Sequence, residues 1–325
     1  MKKSIVLLVT FLFVITLFSG VAAAETKLVF ASAYAEDDPQ TRSLLKFGES
    51  VEKRTNGEII VEVNYGGILG GERDVAENIQ LGSIDGAILG GILQNFDPAL
   101  SILEFPFLFK GPEHIKAVMD GPVGEVINER MQENINMRCL NIVMRTSRQL
   151  TTNKPVKSLA DLKGLKIRVP EMKAHLKVWQ ALGASPTPVA FTEVYTALQL
   201  GVVNGQENPL EVIYANKFYE VCDYLAFTNH LPGFMMIVIN NETYKSLSYK
   251  NRIALQEAAR EASLYNEKIL AESTVKADLK EKMEFTYPDT AKFANAAKDV
   301  YKDFNEVEGF TELYLAIKEV GEDFN

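Results

Sequence analysis

Cysteine is nearly missing: Cys139 and Cys222 are the only two in 325 residues, which excludes a disulfide-stapled scaffold and a thiolate zinc site. One disulfide between them remains permitted, although lone thiols with apolar neighbours more often serve as small core residues. Histidine is as scarce, and His114, His175 and His230 are scattered with no second ligand at metal spacing, so no metal site is expected. An excess of basic charge is lacking too. With 34 Lys and Arg against 43 Asp and Glu the formal charge is -9, which speaks against a nucleic-acid partner. It also means that any anionic ligand must be held by local cations against the overall field. The motifs of common catalysis are absent: there is no G-x-S-x-G elbow, no H-E-x-x-H pair and no triad order. YGGILGGERD lacks the Gly-Lys-Ser/Thr ending of a phosphate loop. No enzyme and no cofactor is predicted.

What is present begins with an export signal. Lys2 and Lys3 precede an apolar run from Ile5 to Phe18, followed by Gly20 and the small residues Ala22 to Ala24. This pattern predicts cleavage after Ala24 and a periplasmic protein starting near Glu25. Removing the first 24 residues leaves 301, and losing two lysines moves the charge from -9 to -11. No later stretch has the eighteen or so uninterrupted apolar residues of a spanning helix.

Beyond the leader a pattern occurs twice. KLVFAS, a helix from about Gln40 to Thr55, IIVEV, a helix from near Gly71, and SIDGAIL read as βαβαβ. KIRV, a helix from about Met172 to Leu182, PTPV, a helix from Thr192 to Leu200, and VVNGQ repeat that order. ERDVAENIQLGSIDG (72 to 86) lies over FTEVYTALQLGVVNG (191 to 205), sharing Val75 with Val194, Gln-Leu-Gly at 80 to 82 with 199 to 201, and Gly86 with Gly205. Two α/β lobes with open parallel sheets are implied, and the crevice between them is the expected ligand site. From about Ser248 to Met283 glycine and proline are missing, which predicts one long or kinked helix bracing the lobes. EFTYPD reads as a short strand or connector.

Arg168 stands in DLKGLKIRVPE, where Ile167 and Val169 alternate with Lys166 and Arg168. A buried guanidinium is costly without an anion, so its face is either wet or met by one. Arg148, twenty residues earlier, can share the same lobe and add donors to a bidentate carboxylate grip. For both, a surface salt bridge is the plain alternative; Arg145 and Arg54 read as such surface cations. Asn208, before Pro209, can donate and accept towards a carboxylate or hydroxyl, or simply start a turn. Phe191 can wall a ligand site or pack in the core. Glu72, after the glycines at 70 and 71, can reach a polar part of a ligand across the cleft.

GLKIRVPE, LGASPTPVAFTEVYTALQLGVVNGQENPL, KFYEV and TNH, with TNGEI, LGGERD and EFPFLF, resemble the solute-binding subunits of tripartite ATP-independent periplasmic (TRAP) transporters. The resemblance covers almost all of the chain after the leader. It implies an α/β, two-lobed periplasmic-binding-protein fold with a first lobe over about 25 to 145 and a second over about 146 to 235. Bracing helices follow over about 242 to 325, with parts of that region completing the first lobe. It implies an organic-acid ligand handed to membrane permease subunits; the sequence leaves monomer or homodimer open. The family's ligand arginine corresponds to Arg168; Arg148, Asn208 and Phe191 fall at its other site positions. Sialic-acid binders carry polar contacts where this chain has Ala33, Gly71 and Gly90, which favours a sugar acid such as a uronate or keto-gulonate, then a C4-dicarboxylate. A ligand sensor and an exported hydrolase are the alternative classes.

Overall fold

The computed structural model describes residues 25–324, so the leader and its cleavage site lie outside the described residues. The first repeat runs β1 (Thr26–Ala31), α1 (Pro39–Thr55), β2 (Ile59–Asn64), α2 (Glu72–Leu81) and β3 (Gly86–Leu89). After α3 (Pro112–Met119) and α4 (Pro122–Ile135) comes β4 (Met137–Thr152). The second repeat is β5 (Lys166–Val169), α5 (Lys173–Ala181), β6 (Ser185–Pro188), α6 (Val194–Gln199) and β7 (Gly205–Asn208). Then follow α7 (Leu210–Ala215), β8 (Tyr224–Asn240), α8 (Asn241–Ser246), α9 (Tyr249–Ala271), α10 (Val275–Lys280), β9 (Glu284–Thr286), α11 (Thr290–Ala297) and α12 (Phe310–Val320).

The repeat holds at the level of single hydrogen bonds. The Gly82 N–H reaches Ile79 O and the Ser83 N–H reaches Asn78 O; three and five residues back again, Gly201 reaches Leu198 O and Val202 reaches Ala197 O. Both glycines cap their helices in the left-handed region, at φ +78° and +68°. Gly86 and Gly205 recur for a different reason, lack of room. A Cβ would meet the Phe30 ring at 2.3 Å in one case and Thr151 O at 2.5 Å in the other.

The strands form one mixed sheet of nine, ordered β2-β1-β3-β8-β4-β7-β5-β6 with β9 beside β8. This corrects the expectation of two separate parallel sheets. The parallel pairs are there in each half, but β4 and β8 are long antiparallel strands running through both and joining them. Their pairing is interrupted between Arg145 and Arg148 and again between Arg148 and Leu150, so the ribbon is bulged at the crossing. Gln149 and Asn229 clamp the bulge: the Asn229 N–H donates to Gln149 Oε1 at 3.0 Å, and Gln149 Nε2 donates to Asn229 Oδ1 at 2.7 Å.

The brace is α9, whose 23 residues extend roughly 34 Å. Its buried stripe of Ala254, Leu255, Ala258, Ala259 and Ala262 is narrow enough to lie close against α1. One apolar cluster runs from Phe30 and Phe47 through this stripe to Val194, Val212 and Leu279, so the helix shares a core with both lobes. The helical stretch breaks after Ala271 and resumes at Val275, the kinked alternative. Cys139 and Cys222 are free thiols, half-buried and buried. No described helix is long and apolar enough to cross a membrane.

Candidate functional site

Arg168 sits near the end of β5, between Ile167 and Val169, both fully buried. Pro170 follows and holds the chain extended. Lys166 stays exposed while Arg168, two residues on, is 2% exposed and turned into the cleft. Its Nε–H donates to Val189 O at 2.8 Å, and its two terminal nitrogens have no partner among the described residues. No carboxylate pairs with it, whereas Arg130, Arg145 and Arg148 each have an acid within 4.0 Å. Burial and the neighbouring charge of Arg148 depress its pKa to about 10, the mark of a cation held where an anion would be welcome.

Arg148, on the bulge of β4, is committed to the protein. Nε and Nη2 fork onto the Glu207 carboxylate, and Nη2 also reaches the Glu207 carbonyl at 2.6 Å. Two histidines that are far apart in sequence converge on the same acid. His175 Nδ1 lies 3.1 Å from Oε1 and His230 Nε2 lies 2.8 Å from Oε2. Burial alone would raise the Glu207 pKa; Arg148 and His175 override it and hold it well below the carboxylate range. Burial lowers the pKa of His230. Among the described residues no His, Cys, Asp and Glu cluster could hold a metal.

Asn208 ends β7, buried, with Nδ2 donating to Gln206 Oε1 at 2.7 Å. Phe191 packs its ring 4.7 Å from that of Tyr34 and, with Ala33 and Thr192, borders a cavity of about 480 Å³. Glu72 opens α2 on the first-lobe wall and accepts a 3.2 Å hydrogen bond from the Tyr34 hydroxyl. Burial and the charge of Glu104 raise its pKa, while Arg145 and Arg168 pull it down, so Glu72 faces the arginines across the cleft. Of the five predicted site residues only Phe191 lines that cavity; Glu72 is near enough to Arg168 for their charges to act on one another, and Arg168 is likewise within the field of Arg148. The lobes also touch: Gln94 Oε1 accepts the Ala174 N–H at 3.3 Å, and Asn95 Nδ2 donates to Glu171 O at 3.0 Å.

Arg145 overturns an expectation. It is no surface cation but 5% exposed, lying over the Tyr34 ring with Cζ 5.4 Å from the centroid. The strand explains the error: it is buried on both faces here, Ile142 and Met144 entering one apolar cluster and Val143 another, so alternation does not report exposure. Arg54 is the surface cation predicted, reaching Glu261 at 3.2 Å. Sequence reasoning also missed Tyr34, Glu104 and the convergence of His175 and His230 on Glu207. None of these carries a local motif; only the sheet brings them together.

A two-lobed α/β frame with a cationic cleft between its lobes defines a solute-binding protein. The family model for bacterial extracellular solute-binding proteins, family 7, matches residues 30–307. The chain belongs to this family, the solute-binding proteins of TRAP transporters. It is 39% identical over 284 residues to a solute-binding protein of Roseobacter denitrificans, covering 86% of this chain and 87% of that one. The crystal structure of that TRAP protein, with bound L-galactonate, superposes with a TM-score of 0.86 at 36% identity, over 91% of this chain and 98% of that one. The 2,3-diketo-L-gulonate-binding periplasmic protein of Escherichia coli is 32% identical over 80% of this chain and 79% of its own length. The sialic acid-binding periplasmic protein of Vibrio cholerae is 31% identical over 87% and 89%.

Proposed function

We propose that this protein captures a sugar acid in the periplasm, with Arg168 as the carboxylate fork, and delivers it to the permease subunits of its transporter without chemistry of its own. The observation that carries the reading is Arg168 itself: a buried guanidinium whose terminal donors have no hydrogen-bond partner, and which has no carboxylate within 4.0 Å, among the described residues. Burying such a group is costly unless an anion compensates, and the planar fork suits a carboxylate. Arg148, fixed by Glu207, contributes positive field and its remaining nitrogen. Asn208 and Glu72 face the hydroxyls of the ligand, and Phe191 supplies an apolar wall.

Support for a sugar acid comes from the relatives, two of which are described as bound to L-galactonate or as binding 2,3-diketo-L-gulonate. Against sialic acid stands Gly90, which offers no polar side chain; a Cβ there would have to displace the ends of Glu104 and Met235, 2.5 and 2.8 Å away. A thermal-shift screen of aldonates, uronates and keto-gulonates identifies the ligand, since binding to the folded form raises the melting point. Calorimetry of Arg168→Lys with that acid then tests the fork. An ammonium keeps the charge and loses the paired donors, so affinity falls by ~10-fold to ~100-fold, or about 1.5–3 kcal/mol. An unchanged Kd removes Arg168 from the site.

A further inference from the structure

Arg145 and Arg148 lie on the same strand and are both buried, yet only one has its carboxylate. On Arg148 the edge formed by Nε and Nη2 grips Glu207. On Arg145 the same two nitrogens, Nε and Nη2, are buried without any hydrogen-bond partner among the described residues. Its remaining nitrogen, Nη1, points at Met235 Sδ at 3.2 Å. The nearest acid, Glu104, stands 3.9 Å from Nη1, beyond hydrogen-bond range, and accepts the Gly91 N–H at 3.3 Å. Glu104 thus offsets charge at a distance and leaves the directional fork unmet. A hydroxyl oxygen could satisfy one donor of that fork, whereas the two oxygens of a carboxylate match both.

Resting on the sugar-acid reading, we infer that Arg145 is a second carboxylate subsite, for the far end of the ligand, and that the preferred substrate class is a dicarboxylic sugar acid (an aldarate). Arg145 pairs with Gly233 and Arg148 with Leu231, so the bulged segment between them spans two residue steps of β8, about 7 Å, and Arg168 lies two strand spacings from β4, about 10 Å. The two forks therefore address opposite ends of an extended ligand. The guanidinium is covered by the ring of Tyr34, so the second carboxylate reaches it once that ring turns aside.

The test is a matched pair of six-carbon probes, galactarate and L-galactonate, which differ only in a terminal carboxylate against a terminal alcohol. Calorimetry on the wild-type protein is expected to give galactarate at least ~10-fold the affinity of L-galactonate, as an added charge-assisted contact requires. In Arg145→Met that ratio falls to near one, and in Arg145→Lys, which keeps charge without the fork, it is intermediate. Either variant suffices if the other fails to fold, as judged by its melting curve. A wild-type preference for L-galactonate, or a ratio that survives both substitutions, overturns the inference while leaving the Arg168 reading in place. A protein that binds neither acid overturns both.

Discussion

The wall around Arg148 and the wall around Arg168 lie two strands apart in one sheet and treat a buried guanidinium in opposite ways. Around Arg148 the chain supplies Glu207, and His175 and His230 supply further donors to that acid. Around Arg168 it supplies one backbone carbonyl, from Val189. The cation of the first wall is paired within the fold; that of the second has only the Val189 carbonyl among the described residues. Burial does not distinguish them, at 4% and 2% exposed, so residue exposure alone would have assigned both the same role. Partnership, and not burial, separates the two.

The largest expected effect breaks the first wall. Arg148→Met leaves Glu207 charged and buried against two histidines, and chemical denaturation should register a loss of about 3–5 kcal/mol. A loss under ~1 kcal/mol would mean that the histidines alone hold the acid and that Arg148 is as available as Arg168. Asp38 extends the comparison to an acid: it is fully buried, with Oδ2 unpartnered, and burial pushes its pKa up to about 7. The folded chain therefore keeps this proton over a range where the unfolded chain, with a pKa near 4, has released it. Stability contributed at low pH is thus lost as pH rises from about 4 to above 7. Asp38→Asn keeps the cap on the Gln40 N–H, now 2.9 Å from Oδ1, and removes that dependence. The gain in stability should be on the order of 2–4 kcal/mol at pH 8 and vanish near pH 4; a gain independent of pH would contradict the assignment. The smallest effect belongs to the second wall. Arg168→Met relieves an unpaired charge and forfeits one hydrogen bond, so without ligand its stability should stay within about 1 kcal/mol of wild type even though acid binding is lost. A drop comparable to that of Arg148→Met would erase the contrast.

The repeated βαβαβ frame was legible because its signals are local. Gly82 and Gly201 stop helices, Gly86 and Gly205 admit close neighbours, and Ile167 and Val169 alternate cleanly. Arg168 was legible because an arginine in a buried strand contradicts its surroundings. The two long strands were not, since MRCLNIVMRTSRQLTT loses its period of two at each register shift. Arg145 was concealed because both faces of the strand are buried there, Val143 in one apolar cluster and Ile142 and Met144 in another. Glu207 was hidden differently: in GQENP it reads as one more acid, and only the arrangement of β4, β7 and β8 brings Arg148, His175 and His230 to it.

Because β4 and β8 stay hydrogen-bonded on both sides of their bulge, the halves of this molecule are joined by a leaf spring and not by a loose swivel. Spreading the halves would flex that ribbon, and any work this took would lower the affinity of every ligand alike. Loosening the Gln149–Asn229 clamp should accordingly rescale the affinity for every ligand by a common factor, and a change confined to one ligand would show that the ribbon bears no load.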